Sequence, residues 1–189
     1  MIDFSAAAEA LAHLIGEVGA DDLRRPTPCD DYTVADLLMH IDEGATGFTA
    51  VADGAISSPA VTDVEDAGSR LRAADHVRDL GRAWLLPRAW AGDSDLAGLE
   101  LANETWGKIA LTEVLVHGWD LAVATGHAFA VPEHLVRACH DHVEVFVPAA
   151  PVPELWGESV AGGETMPLLD RTVAITGRDP RAWHLAPQS

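Results

Sequence analysis

The chain has 189 residues, 48 % hydrophobic and 22 % charged, enough for one folded unit with a sizeable core. A formal net charge of −18 repels nucleic-acid phosphates and anionic lipid surfaces, so neither is an expected partner. Two cysteines, Cys29 and Cys139, are too few for a disulfide framework, and the sequence has neither a basic region ahead of an apolar N-terminal stretch nor an apolar run of membrane-spanning length; it reads as a soluble cytoplasmic protein.

Apolar residues recur at helical spacing from Phe4 to Val18, with Ser5 as candidate N-cap, and Gly19 ends the run. Arg24 to Asp31, with Pro26 and Pro28, is a loop. A second helix is predicted to start near Thr33, where Asp36 three residues later imitates a capping box. Its apolar stripe is Val34, Leu37, Leu38, Ile41, Ala45 and Phe48. Residues 53–66 are rich in Gly, Ser, Pro and Asp and read as a loop or lid.

A third helix is predicted from about Ser69 to Trp84, limited by Pro87, and Gly92 to Gly98 is a turn-rich break. The longest helical signal runs from Glu104 to about Ala124 and is closed by Gly126. Pro132 suits the first turn of a fifth helix reaching about Val147. Beyond it, Pro148, Pro151, Pro153, Gly157, Gly162, Gly163 and Pro167 punctuate a mostly irregular arm, residues 148–189, with one short helix from Leu168 to Thr176 and a tail whose Trp183 is expected to fold back. No strand series of convincing length appears. The expected fold is mainly α, a four-helix bundle with an extra helix, in one domain over residues 1–189 whose bundle core is about 3–147.

The chemistry is concentrated in two helices. Glu113 and His117 are four residues apart, which stacks them on one helix face about 6 Å apart along the axis. Leu111, Val114, Leu115 and Val116 flank them, and a carboxylate buried in such company is costly unless it is paired or metal-bound. His40, embedded among Leu37, Leu38 and Ile41, is the candidate third ligand from a facing helix. Two imidazoles and one carboxylate, with a position left for solvent, are the usual donor set of a catalytic zinc. The same spacing also serves an ordinary helix-surface salt link. Asp36, one turn before His40, either orients that imidazole or caps the helix; Asp120, three residues after His117, is placed to bond a ligand, a substrate or solvent.

Pro26-Thr-Pro-Cys29 followed by Tyr32-Thr-Val-Ala-Asp-Leu-Leu-Met-His40, then Glu113-Val-Leu-Val-His-Gly-Trp-Asp-Leu-Ala122 with Ala124-Thr-Gly126, and finally Gly177-Arg-Asp-Pro180, resemble the signatures of actinobacterial DinB-like metal-binding proteins. That group is related to the N-terminal domain of mycothiol-dependent maleylpyruvate isomerase. The resemblance implies a DinB-like bundle and a divalent metal, usually zinc, held by His40, Glu113 and His117. Nickel, iron or manganese suit the same donors. It further implies a thiol-using S-transferase or isomerase acting on a small molecule, with mycothiol as co-substrate. Two departures stand out: Tyr32 replaces the family's tryptophan, and no separate α/β C-terminal domain follows residue 180. A non-catalytic metal- or ligand-binding module, or a biosynthetic enzyme using the pocket without a thiol, remain alternative readings. The apolar positions of such a bundle are compatible with a homodimer.

Other residues read as structural. Cys29 is expected to be a small half-buried loop residue and Cys139 a core residue. His134, His140 and His142 with Asp141 and Glu144 form a rival cluster, expected to be a solvated face. Trp84, Trp90, Trp106 and Trp119 are expected to pack, and Arg82 and Arg88 to lie at the surface. Substrate is expected to approach past loops around residues 53–68 and 148–167.

Overall fold

The structure is a computed structural model that describes residues 1–29, 31–150, 156–163 and 165–185. Helices α1 (Ser5–Glu17), α2 (Val34–Asp53), α3 (Ala67–Ala83) and α4 (Asn103–Thr125) form the bundle. Both α1 and α2 pack against α3 and α4, so the first two helices lie diagonally across the core. A fifth helix, α5 (Glu133–Phe146), packs on α4, and α6 (Leu168–Ile175) packs on α5 and α4; α7 (Pro180–Leu185) follows. The mainly-α, DinB-like architecture expected from the sequence is the one observed. Among the described residues no helix is long and apolar enough to cross a membrane.

Local chemistry explains the helix ends. Thr33 accepts from the Asp36 backbone N–H while the Asp36 carboxylate accepts from the Thr33 backbone, a complete capping box that fixes where α2 begins. At α1 the cap differs from expectation. Ser5 is already helical, and its N–H and hydroxyl both donate to the Asp3 carboxylate. Asp66 caps α3 by accepting from the Ser69 N–H. Pro132 precedes α5 rather than opening it.

The turn-rich break after Pro87 holds a feature the sequence did not suggest. Strands β1 (Asp93–Leu96) and β2 (Leu99–Ala102) pair antiparallel, Asp93 opposite Ala102 and Leu96 opposite Leu99. The two linking residues, Ala97 (φ 55°) and Gly98 (φ 83°), both have positive φ, as a tight hairpin with the twist of its strands requires. The hairpin is fastened to α4, since the Trp106 indole donates to the Ser94 carbonyl. Trp84 and Trp90 make similar backbone bonds, to Phe48 and Trp84 respectively, so these tryptophans pack as expected.

One continuous core fills the space between α1, α2, α3 and α4, and α4 is buried on nearly every side. Gly118 is needed for that packing, because a Cβ there would fall onto the Phe129 ring. Gly118→Ala is expected to destabilise the fold by about 1–3 kcal/mol through overpacking, read as a lower urea midpoint with an unchanged slope.

The C-terminal arm is more ordered than an irregular segment. Trp119 donates to Asp170, His140 contacts Thr172, and Trp183 folds back against the small cluster of Val116, Trp119 and Val173, as expected. Residues 151–155 and 164 of the arm lie outside the described residues.

Candidate metal centre

Helices α2 and α4 are neighbours, and their facing sides carry the candidate ligands. Because α4 is packed on nearly every side, His117 is shut off from bulk water and Glu113 only partly open to it. The His117 side chain is 7 % exposed, while Glu113 keeps 25 % and His40 38 %. His117 is therefore the floor of the site, and His40 with Glu113 forms its open edge. Tyr32 packs edge-on against His40 with ring centroids 5.6 Å apart. It forms an aromatic wall beside this imidazole.

The three groups converge. His117 Nε2 lies 2.9 Å from Glu113 Oε2 and 3.2 Å from His40 Nε2, and His40 Nε2 lies 3.8 Å from the same carboxylate oxygen. Two ligands of a tetrahedral ion with bonds of about 2.0–2.1 Å are separated by about 3.3–3.4 Å, and the three observed edges bracket that value. The imidazole planes are nearly perpendicular, at 89°, and the two Nε2 atoms face each other at 3.2 Å. The donor set and its geometry thus fit a divalent cation bound by three side chains.

Asp120 completes the His117 side of the centre. Fully buried, it lies 3.0 Å from His117 Nδ1. Burial opposes ionisation of this carboxyl, but the His117 contact and the Arg178 guanidinium outweigh it and hold the group below the usual carboxylate range. An ionised carboxylate only accepts, so Nδ1 carries a proton. Nε2 is then the atom left to face Glu113 and His40. With no cation, burial would lower the His117 pKa, yet Glu113 and Asp120 dominate and raise it to about 9. Burial likewise disfavours the charged Glu113, but the two imidazoles pull it well below the ordinary glutamate value. A cation held here by His40, Glu113 and His117 would take the place of the proton between Glu113 and His117.

Asp36 is a correction to one of the two roles considered for it. Its carboxylate is engaged by Thr33 in the capping box, which fixes the start of α2 and with it the height of His40 one turn later; no contact joins it to the imidazole. Cys29 is half-buried as expected, but closer to the centre than its loop suggested. Its sulfur, a His117 nitrogen and an Asp120 oxygen lie within 4.8 Å of one another. This second trio suits a cation less well than the first, because the same Asp120 carboxylate already pairs with Arg178. Cys139 is core, and burial pushes its thiol up to about 12.

A small, shallow cleft adjoins the centre, lined by Phe48, Val77 and Leu80 together with His40, Glu113 and His117. It is lined by α1 to α4, and none of the described residues of the two loops expected to guide substrate reaches it. Ala55, Ile56 and Ser58 of the first loop line a different cleft of about 450 Å³, beside His76. There the buried Asp42 carboxylate accepts from the Val61 N–H at 2.7 Å and lies 2.8 Å from His76 Nδ1, which staples the loop onto the bundle. Nothing in the spacing of Asp42 and His76 signals this pair, since they lie on different helices.

The rival histidine cluster is not a solvated face throughout. His140 is buried between α5 and α6, with Nδ1 3.2 Å from the Thr172 hydroxyl and Nε2 3.2 Å from Glu144. His142 stacks on Phe146, and burial, helped by Lys108, pushes its pKa down to about 4. Among the described residues, only His40/Glu113/His117 and Cys29/His117/Asp120 gather three possible ligand atoms closely enough to share an ion. Arg82 and Arg88 are surface residues paired with Asp79 and Asp53.

Fold and site together define a mainly-α protein with a candidate divalent-metal centre between two helices of a four-helix bundle. The sequence matches the mycothiol maleylpyruvate isomerase N-terminal domain family over residues 4–122, and the chain belongs to that family. Two similar curated relatives are uncharacterized proteins of Mycobacterium tuberculosis, from strains CDC 1551 and H37Rv, each 32 % identical over 122 residues. The alignment covers 65 % of this chain and 65 % of each relative, so the chain spans just under two thirds of the length of the curated relatives it matches. No solved structure matches it. The family match contains His40, Glu113, His117 and Asp120 but stops short of Arg178.

Proposed function

We propose that this protein is a cytoplasmic, divalent-metal-dependent enzyme of the thiol-using S-transferase or isomerase type, with zinc as the metal, mycothiol as co-substrate and a small electrophilic molecule as substrate. The observation that carries the reading is the convergence of His40, Glu113 and His117 on one point, inside the segment matched to a family described as the N-terminal domain of a mycothiol-dependent isomerase. When bound, the cation supplies a lowered pKa to a thiol or water, and so a nucleophile at neutral pH. The protein's own groups do the rest. His117 is held in one orientation by Asp120, and Glu113 neutralises part of the cation's charge. The apolar wall of Phe48, Val77 and Leu80 excludes water from one side of the centre.

The test is a panel of mycothiol and simpler thiols against electrophilic acceptors and a maleylpyruvate-type substrate, with the zinc-loaded and the EDTA-stripped protein. Turnover that needs both thiol and zinc is the expected result. Zinc-dependent turnover without thiol points instead to a biosynthetic enzyme that has kept the pocket. Thermal stabilisation by thiols without turnover assigns the chain to non-catalytic binding modules. Light scattering of the same sample reports whether the active species is a homodimer.

A further inference from the structure

The carboxylate that steers His117 is itself held from a distant part of the chain. Arg178 donates to Asp120 through Nε (3.2 Å, to Oδ1) and Nη2 (2.9 Å, to Oδ2), a two-pronged contact to a carboxylate with no exposed surface. Its third arm, Nη1, donates to the Thr176 carbonyl at 3.0 Å. The backbone is set with equal care. Arg178 N–H bonds to the Val173 carbonyl at the end of α6, and Gly177 adopts φ 93°. Gly177 lies so near Gly157 that a Cβ at position 177 would stand 2.5 Å from the Gly157 Cα. The segment can hold this path only with glycine there.

We infer that Arg178 is a positioning residue of the metal centre: its planar guanidinium fixes the Asp120 carboxylate, which fixes the His117 imidazole with Nδ1 protonated and Nε2 turned toward Glu113 and His40. The inference rests on the cation reading of that site. Two considerations favour it over a merely structural ion pair. A buried pair adds little net stability compared with apolar residues of the same volume, whereas its directionality is hard to replace. The two contacts also leave Asp120 one orientation, in which Oδ2 is shared between Arg178 Nη2 and His117 Nδ1. Hydrogen-bond partners behind metal-bound histidines typically change affinity ten- to a hundredfold when removed. Arg178 thus makes residues beyond the family match part of the centre.

The experiment compares wild type with R178K, R178M and D120N. Zinc affinity is read by competition with a chromophoric chelator, and the His117 Nδ1 proton by its solvent exchange in 15N–1H NMR spectra. R178M and D120N are expected to bind zinc about ten- to a hundredfold more weakly, and R178K, which keeps the charge but not the fork, to fall between. In R178M the Nδ1 proton is expected to exchange faster, with or without zinc. If wild type takes up no zinc, the cation reading fails, and the Nδ1 exchange of the metal-free proteins still decides the role of Arg178. Variants that unfold more readily but keep wild-type zinc affinity and a protected Nδ1 proton overturn the inference. Should R178M fail to fold, R178K and D120N carry the same comparison.

Discussion

Replacing His117 with alanine is expected to abolish stoichiometric zinc binding, with affinity falling on the order of 10²–10³-fold. His117 is the shared vertex of the site, since its Nε2 makes both of the shortest edges, to Glu113 and to His40. Without it, two ligand atoms 3.8 Å apart remain on the exposed side, a pair that water competes with easily. The fold is expected to survive, because Asp120 keeps its two contacts with Arg178 and so does not become an unpaired buried charge. A destabilisation of about 1–3 kcal/mol is still expected, from the lost imidazole packing and from Glu113 losing its nearest cationic partner. The control is His140→Ala in the rival cluster, which leaves metal content unchanged. Metal analysis of the three purified proteins, with unfolding curves to confirm that each is folded, reads the result. Equal zinc in wild type and H117A removes the assignment.

The parts of this picture that were legible in the sequence are those in which local pattern and tertiary role coincide. The Glu113–His117 spacing alone places both groups on one face of α4, and the apolar residues around them announce burial; the contact across to His40 follows once α2 and α4 are neighbours. Thr33 and Asp36 reveal the start of α2 because a capping box is a local motif. The hairpin of β1 and β2 was not legible. Its strands have four residues each, the first reads Asp-Ser-Asp-Leu without a β-branched residue, and an Ala97-Gly98 turn lacks the Asn or Asp that usually flags one. What holds this short hairpin is Trp106 from α4, a tertiary contact with no sequence period.

Arg178 lies in the Gly177-Arg-Asp-Pro180 stretch that resembles the family signature, yet its role was missed for a related reason. It is one charged residue in a Gly- and Pro-punctuated arm, and its value comes from a partner 58 positions away. Cys29 is the half-buried loop residue its sequence suggests, but the loop alone does not reveal that the fold brings Arg178 and His117 close to it. His140 of α5 was misjudged because the docking of α6 over it depends on a segment with little pattern of its own, whereas His134 is exposed as expected. In each case the decisive group arrives from another element, and spacing along one element carries no trace of it.

The same ion pair that prepares the site for a cation gives the metal-free protein a distinctive dependence on pH. His117 titrates near 9 in the fold against 6.5 when unfolded, so the native state holds its proton more tightly. Its contribution is fully present below about pH 6.5 and is lost as pH rises toward 9. Glu113 is shifted downward, so its contribution is present above its unfolded value of 4.5 and is lost only in more acidic solution. The two shifts describe one interaction and are not added. Through this pair the metal-free protein is expected to lose up to about 3 kcal/mol as pH rises from about 6.5 to 9, while His142, held near 4 by burial, lowers stability in the other direction as pH falls below 6.5. Zinc reverses the slope. A cation and a proton compete for the Nε2 of His117, so raising pH removes the competitor and strengthens binding, and a ligand at a thousand times its Kd adds about 4 kcal/mol. Urea unfolding at pH 5.5, 7.0 and 8.5, in EDTA and in saturating zinc, is expected to give curves that diverge as pH rises. In H117A the divergence is expected to vanish. If stability in EDTA falls no faster from pH 7.0 to 8.5 in wild type than in H117A, Glu113 and His117 do not share a proton in the metal-free fold, and with that the electrostatic preparation of this site for a cation is lost.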